Sequence, residues 1–380
     1  MLLKTRGIPH QVDKPIIGRV TRNYLAIGSD SILVSENEAS FQNSKSFKSI
    51  LTNLDIRQYR IDTPSVYSVQ TLEHLNEGDI ILINTDGVIN TLYRIKSHQN
   101  FLLFTERCNS NCLMCSQPPR DRDDTPFLFN IYKQLIPMIP KNCSEIGITG
   151  GEPTLLGELF FDLLQLIKTE LPNTEVHCLT NGRAFAWKNI SQRLSELKFK
   201  RLVLGIPLYS DYYQVHDYIV QARNAFNQTI LGLYNLALYD QRIEIRIVLH
   251  KQSIPRLTKL AKYIYKNLPF VEHVAFMGIE NQGYTPYNVN KLWIDPIEYM
   301  DELNNAVQFL SSRQMNVSIY NSQLCLMPKS LWKHNRKSIS DWKNIYLDEC
   351  SKCTKIDDCG GLFASNLNLY SKYLKAFNNF

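Results

Sequence analysis

Three cysteines stand close together at Cys108, Cys112 and Cys115, in the string CNSNCLMC. Spacings of four and three residues let their sulfurs wrap one compact metal centre, and soft thiolates select zinc, copper(I) or iron–sulfur. Structural zinc closes its tetrahedron with a fourth ligand, yet no further Cys or His follows nearby. A cubane 4Fe–4S cluster ordinarily takes four cysteines, so three leave one iron open to a bound substrate. Four more cysteines come late, at Cys325, Cys350, Cys353 and Cys359, the last three in the pattern CxxCxxxxxCGG. Four thiolates match either one fully ligated cluster or a structural zinc. The other two of the nine cysteines, Cys143 and Cys178, stand alone and read as small core residues. Seven clustered thiols in a reducing compartment point to metal rather than to disulfides.

Further polar groups fall where apolar runs end. GITGGEPTLL carries Gly150 and Gly151, which let backbone approach a ligand closely, and Glu152, which could accept a hydrogen bond from an ammonium group. CLTNG places Thr180 and Asn181 at a strand end, where they reach a ligand or form a plain turn with Gly182. LGIPLYSDYYQVHDYI offers Tyr209, Ser210, His216 and Asp217, and the last two could simply cap the next helix. Arg246 in RIVLH and Met277 in VAFMGIE complete the candidates, with core or surface roles as the plainer reading.

The elements that position these groups follow from periodicity. Apolar runs at 101–104, 145–149, 175–180, 201–206, 243–249 and 273–278 read as strands. Between them lie helical patterns such as ELFFDLLQLIKTEL and TILGLYNLALYD. Six strands alternating with helices predict an α/β fold, a parallel sheet with right-handed crossovers, and a partial (β/α)6 barrel. A closed eight-stranded barrel would need more chain. All the candidates then sit at strand C-terminal ends, where such barrels build active sites. Residues 1–98 read as a β-rich N-terminal domain, with runs at VTRNYLAIG and LNEGDIILINTDGVINTLYRI and a hairpin turn at Asp86–Gly87. Residues 99–285 form the partial barrel. Residues 286–380 hold one helix around 296–313 and then a loop-rich, cysteine-bearing stretch.

Composition narrows the class. With 44% hydrophobic and 21% charged residues the chain is ordinarily globular, and +6 on 380 residues describes a solvated surface rather than a nucleic-acid footprint. The start, MLLKTRGIPHQVD, meets Pro9 and His10 before an apolar signal region forms, and no run long enough to span a membrane occurs. A cytoplasmic location is expected.

CxxxCxxC in the loop after a first strand, followed by GGEP and TNG, resembles the hallmark of the radical S-adenosylmethionine (SAM) enzymes. The resemblance implies a 4Fe–4S cluster on Cys108, Cys112 and Cys115, with SAM chelated to the open iron. It implies that Gly150, Gly151 and Glu152 bind the methionine amino group, that Thr180 and Asn181 reach the ribose or carboxylate, and that Ser210, where the family has a polar or small residue, is also cofactor-binding. Met114 stands where the family usually has an aromatic residue, and methionine can also pack on adenine. The late cysteines resemble the SPASM or twitch auxiliary region, which implies a second 4Fe–4S cluster on Cys325, Cys350, Cys353 and Cys359. CNSNCLMCSQPP, GITGGEPTLL, YS…HDYIVQA and IRIVLHKQ together are similar to the C-type maturase of the His-Xaa-Ser peptide system. That likeness implies a ribosomally made precursor peptide as substrate. It also implies an electron donor such as a flavodoxin or ferredoxin, and partner maturation proteins. Other readings are a radical SAM enzyme acting on a nucleoside, RNA or cofactor precursor, a zinc-stabilised binding module, and a degenerate partner that keeps the cluster without chemistry.

Overall fold

The computed structural model describes residues 3–25, 28, 30–37, 41, 45–59, 61–338, 340 and 343–378. The chain divides into two compact units: Met1–Leu102 with Phe127–Glu145 and Leu166–Thr174, and Leu103–Pro126 with Ile146–Gln165 and Glu175–Phe380.

The first unit is built on an eight-stranded sheet. Its strands are β1 (Lys4–Arg6), β2 (Ile8–His10), β3 (Ile16–Thr21), β4 (Ser31–Val34), β5 (Ser49–Leu51), β6 (Ser65–Tyr67), β7 (Ile80–Ile83) and β8 (Val88–Tyr93). They lie in the order β1-β8-β7-β3-β4-β5-β6-β2. β7 and β8 form an antiparallel hairpin across Asp86–Gly87, where Gly87 takes φ +79°. Of the run VTRNYLAIG only its first two residues are strand, and residues 26 and 27 lie outside the described residues. Val20, Ile32, Leu51, Val66, Ile81 and Ile89 pack together as its core. Asp79, fully buried, accepts from the Asn76 and Ile95 nitrogens at 2.8 Å each and so ties off the hairpin.

The second sheet alternates with helices. It runs through β9 (Asn100–Leu103), α1 (Thr125–Met138), β10 (Glu145–Thr149), α2 (Glu158–Glu170), β11 (Glu175–Leu179), α3 (Lys188–Glu196), β12 (Leu202–Pro207), α4 (Tyr213–Val220) and α5 (Ala225–Leu238). It continues through β13 (Arg242–Leu249), α6 (Leu257–Asn267), β14 (His273–Gly278), α7 (Val289–Leu292), α8 (Pro296–Ser311), β15 (Val317–Tyr320) and β16 (Asn335–Arg336). The strand order is β16-β15-β14-β13-β12-β11-β10-β9, and β11 to β16 pair in parallel. The sheet has two edges, so the architecture is a mixed α/β partial barrel and not a closed one. It extends past the six expected strands, because VSIY at 317–320 and a two-residue bridge at 335–336 add on; runs that short carry no readable period.

Alternation along β13 explains the layering. Ile243, Ile245 and Ile247 are fully buried, while Glu244 and Arg246 face the other side. α5 begins four residues earlier than the pattern at 229–240 suggests. The Asp217 carboxylate accepts from the Asn224 and Phe226 nitrogens at 2.7 Å each and starts the helix there. α8 opens with a capping box between Asp295 and Glu298 and has Pro296 at its first position. No helix among the described residues is long and apolar enough to cross a membrane.

Candidate functional site

β9 delivers the chain into the cysteine loop, and the turn between them is held by one buried carboxylate. Asp124 accepts from Thr105 Oγ1 and from the Glu106 nitrogen at 2.6 Å each. The loop is then gripped from several directions. Asn111 and Leu113 donate their peptide N–H to the Val220 and Ile219 carbonyls at 3.0 and 2.9 Å. Tyr284 donates to the Cys115 carbonyl at 2.8 Å, and Asn288 Nδ2 to that of Leu113 at 2.9 Å. Arg183 reaches the Asn109 carbonyl, donates to Ser110 Oγ at 3.0 Å, and is held by Gln228 Oε1 at 2.7 Å.

The glycines of GITGGEP make the tightest contact. Gly151 and Glu152 donate to the Thr105 and Arg107 carbonyls at 2.8 and 2.7 Å. A Cβ on Gly151 would lie 2.0 Å from the Arg107 carbonyl oxygen, and one on Gly150 2.7 Å from that of Thr105. The close approach that these glycines permit is therefore to the cysteine loop itself. Glu152 is fully buried. Its Oε1 accepts from Thr154 N, Thr154 Oγ1 and Thr180 Oγ1 at 3.1, 2.7 and 2.7 Å, and its Oε2 from Asn181 N at 2.6 Å. Burial raises its pKa, while these donors pull toward the anion. Asn181 Nδ2 in turn donates to Asn109 Oδ1 at 2.6 Å. One carboxylate thus joins the loops after β10 and β11, and Asn181 carries that frame to the cysteines.

The three thiols share one environment. Burial pushes Cys108 up to about 11, and it raises Cys112 and Cys115 as well. Charge on Cys115 and Cys108 adds to the rise at Cys112. Thiols this reluctant to ionise alone suit a cationic metal centre, which repays the deprotonation. A cleft of about 520 Å3 opens beside Cys108, lined by residues 107–111 and 119–121 with Leu155 and Gln221. Among the described residues no three His, Cys, Asp or Glu side chains converge on a single-ion site. A cubane spreads its ligands over separate irons and so sets its thiolates wider apart than one ion does.

The other candidates take supporting places. Met114 is buried against Tyr209, Ile219 and Leu292. Ser210 is fully buried and accepts from Tyr212 N at 3.1 Å within its own turn. Tyr209 stacks on His216 with ring centroids 5.8 Å apart and lies 6.1 Å from His250. His216 Nδ1 accepts from Tyr209 N at 3.3 Å. Arg246 donates to Glu244 at 2.7 Å and to Met277 Sδ at 3.1 Å, and Glu244 also meets His273 at 2.6 Å and His177 at 3.3 Å. Cys178 is buried and Cys143 half-buried, and neither lines either cavity. The inventory of motifs misses Asp124, Arg183 and the 282–288 loop. The faint local signal in that loop is Gly283, whose φ of +64° lets it pass the Cys115 carbonyl, 2.2 Å from where a Cβ would stand.

The four late cysteines come together. Cys325, Cys350, Cys353 and Cys359 line one cavity, otherwise walled mainly by apolar side chains such as Leu324, Ile356 and Leu362. Burial raises the Cys325 and Cys350 thiols, and charge on Cys359 adds to both. Gly360 and Gly361 shape the wall. A Cβ on Gly360 would be 2.6 Å from the Ser322 carbonyl oxygen, and Gly361 has φ +64°. The short hairpin β17 (Asn344–Ile345) and β18 (Leu362–Phe363) and the Gln323 amide, 2.6 Å from the Gly361 carbonyl, brace it.

Residues 102–264 match the family described as the radical SAM superfamily. An uncharacterized protein of Methanocaldococcus jannaschii is 25% identical over 168 residues, which cover 43% of this chain and 57% of that protein. Streptococcus suis SuiB bound to S-adenosylmethionine is 18% identical, with a TM-score of 0.46 over 59% of this chain and 50% of that one. The native anSMEcpe with bound AdoMet is 21% identical, with a TM-score of 0.44 over 58% and 62% of the two chains. The chain spans less than two thirds of the length of each of these proteins. Within residues 102–264, which hold the cysteine loop and the GGEP clamp, the chain carries a radical SAM superfamily domain.

Proposed function

We propose that this chain is a radical SAM enzyme that modifies a ribosomally made precursor peptide of the His-Xaa-Ser type. The observation that carries the reading is the clamp of Gly151 and Glu152 on the backbone of Thr105 and Arg107, which holds the cysteine loop against the GGEP turn. Cys108, Cys112 and Cys115 would hold the SAM-binding 4Fe–4S cluster. When bound, that cluster supplies the electron that splits SAM into methionine and a 5′-deoxyadenosyl radical. The chain's own part is placement. Glu152, satisfied from within, holds the Thr180–Asn181 turn at the rim. Arg183 fixes the loop between Cys108 and Cys112. Met114, Tyr209 and Leu292 keep water from the rear of the loop. Cys325, Cys350, Cys353 and Cys359 would hold a second cluster. Four thiols on one cavity match the ligand count of one fully ligated cluster. An electron donor of the flavodoxin or ferredoxin class and partner maturation proteins complete the proposed system.

The peptide substrate rests on the tail cysteines and on the motif resemblance. The test is anaerobic reconstitution, followed by co-expression with the short reading frame beside the gene and mass analysis of its peptide. About eight irons per chain, release of 5′-deoxyadenosine and a mass change on the peptide are expected. Replacing Cys108, Cys112 and Cys115 with Ala should leave about four irons and no SAM cleavage. Zinc without iron would establish a binding module instead. SAM cleavage with an unaltered peptide would redirect the search to nucleoside, RNA or cofactor precursors.

A further inference from the structure

The tail cavity has a fourth wall that no cysteine spacing announces. Leu374, Lys375, Ala376 and Phe377 line it together with all four cysteines. The Phe377 peptide nitrogen lies 3.4 Å from Cys353 Sγ and donates to it. The segment is itself anchored. Thr354 N donates to the Phe377 carbonyl at 2.8 Å, one residue beyond Cys353. The Phe377 ring meets Trp332 edge-on, with centroids 5.4 Å apart, and Trp332 Nε1 donates to the Met327 carbonyl at 3.2 Å. Leu374 is 9% exposed. Among the described residues, the charged side chains lining the cavity are the cations Lys355 and Lys375, which complement a site of four thiolates.

We propose that the segment Leu374–Phe377 is part of the tail metal site, the Phe377 peptide N–H donating to the Cys353 sulfur and thereby helping to set the reduction potential of the group bound there. The proposal rests on the second-cluster reading above. Hydrogen bonds to thiolate sulfur stabilise the reduced, more negative state of a cluster, so they raise its potential; solvent exposure and net charge set the rest. The Cys353 sulfur receives such a donor from this segment, which lies some twenty residues beyond Cys353. The Phe377 peptide group acts on the metal through that sulfur and is a positioning group, not a ligand.

The experiment uses the full chain with Cys108, Cys112 and Cys115 changed to Ala, reconstituted anaerobically, so that only the tail site holds iron. Phe377→Pro removes the N–H donor, and Phe377→Ala keeps that donor while losing the same ring. Iron and sulfide content and a potentiometric EPR titration are read for each. The expected result is about four irons in both and a lower midpoint potential for Phe377→Pro than for Phe377→Ala. Loss of iron in Phe377→Pro alone would also support the role, since the two differ chiefly in the donor. Equal potentials with full iron in both variants would overturn the proposal and leave the second cluster standing. Absence of iron from the parent triple variant would overturn the cluster reading and this one with it.

Discussion

The Glu152 carboxylate accepts the Asn181 peptide N–H at 2.6 Å, across 29 residues of sequence, and is wholly shielded from solvent. An acid that sequence reading assigns to ligand binding is thus occupied in joining two loops. Glu152→Ala would strand the hydroxyls of Thr154 and Thr180 and the Asn181 nitrogen. We expect a stability loss of about 1–3 kcal/mol or more, since a buried group left unpaired loses its full solvation. Urea unfolding of the metal-free chain measures it. A loss of SAM affinity with unchanged unfolding would instead mark Glu152 as a direct SAM ligand.

Gly151→Ala should be far more severe than Gly157→Ala. At Gly151 the new methyl meets the Arg107 carbonyl at 2.0 Å, and backbone there cannot yield. Gly157 has open space around its Cβ direction and only the strain of φ +61°. The first variant should lose more than about 4 kcal/mol or most of its iron, the second about 1 kcal/mol. Soluble yield and iron content after reconstitution report the difference.

Arg183→Lys keeps the charge but not the fork that reaches Asn109, Ser110 and Gln228 together. SAM cleavage should slow about tenfold, equivalent to about 1.4 kcal/mol on the barrier. Thermal unfolding should change little, because the arginine is partly exposed. Wild-type turnover in the variant would remove Arg183 from the positioning set.

Glu244→Ala removes the one carboxylate shared by Arg246, His177 and His273. Its side chain is 7% exposed and that of Arg246 13%, so the guanidinium is left buried and uncompensated. Breaking such a pair costs about 3–5 kcal/mol. Chemical denaturation of Glu244→Ala against Arg246→Met would show it, since removing the cation leaves the carboxylate its two histidines.

Acid should destabilise the fold through two buried histidines. Burial lowers His250 to about 3 and His216 to about 4. The unfolded chain takes up these protons near pH 6.5, whereas the folded chain does not until lower pH. Stability is therefore complete above about pH 6.5 and falls as pH drops toward 4, by about 1.4 kcal/mol per pH unit for each group. His250 Nδ1 accepts from the Gln252 and Ser253 nitrogens at 3.2 and 3.3 Å, a role that Asn Oδ1 can imitate. His250→Asn should lessen the loss between pH 6.5 and 4, followed by urea midpoints; an unchanged slope would show that His250 contributes nothing to it.

The strand and helix alternation and the thiol inventory are legible along the chain, because both are local. Period-two runs such as RIEIRIVL and three- and four-residue spacing in ELFFDLLQLIKTEL need only neighbours to be read. The spacing of Cys108, Cys112 and Cys115 likewise lies within one loop. Which loops meet is set by long-range packing and cannot be read from neighbours. Cys325 is separated from Cys350 by β16, β17 and the loops around them, and the two come together only as walls of the folded cavity. Glu152 and Asn181 meet because the loops after β10 and β11 sit side by side once the sheet order is set. Phe377 reaches Cys353 through its backbone N–H, a group that every residue but proline carries and that therefore leaves no mark in the sequence.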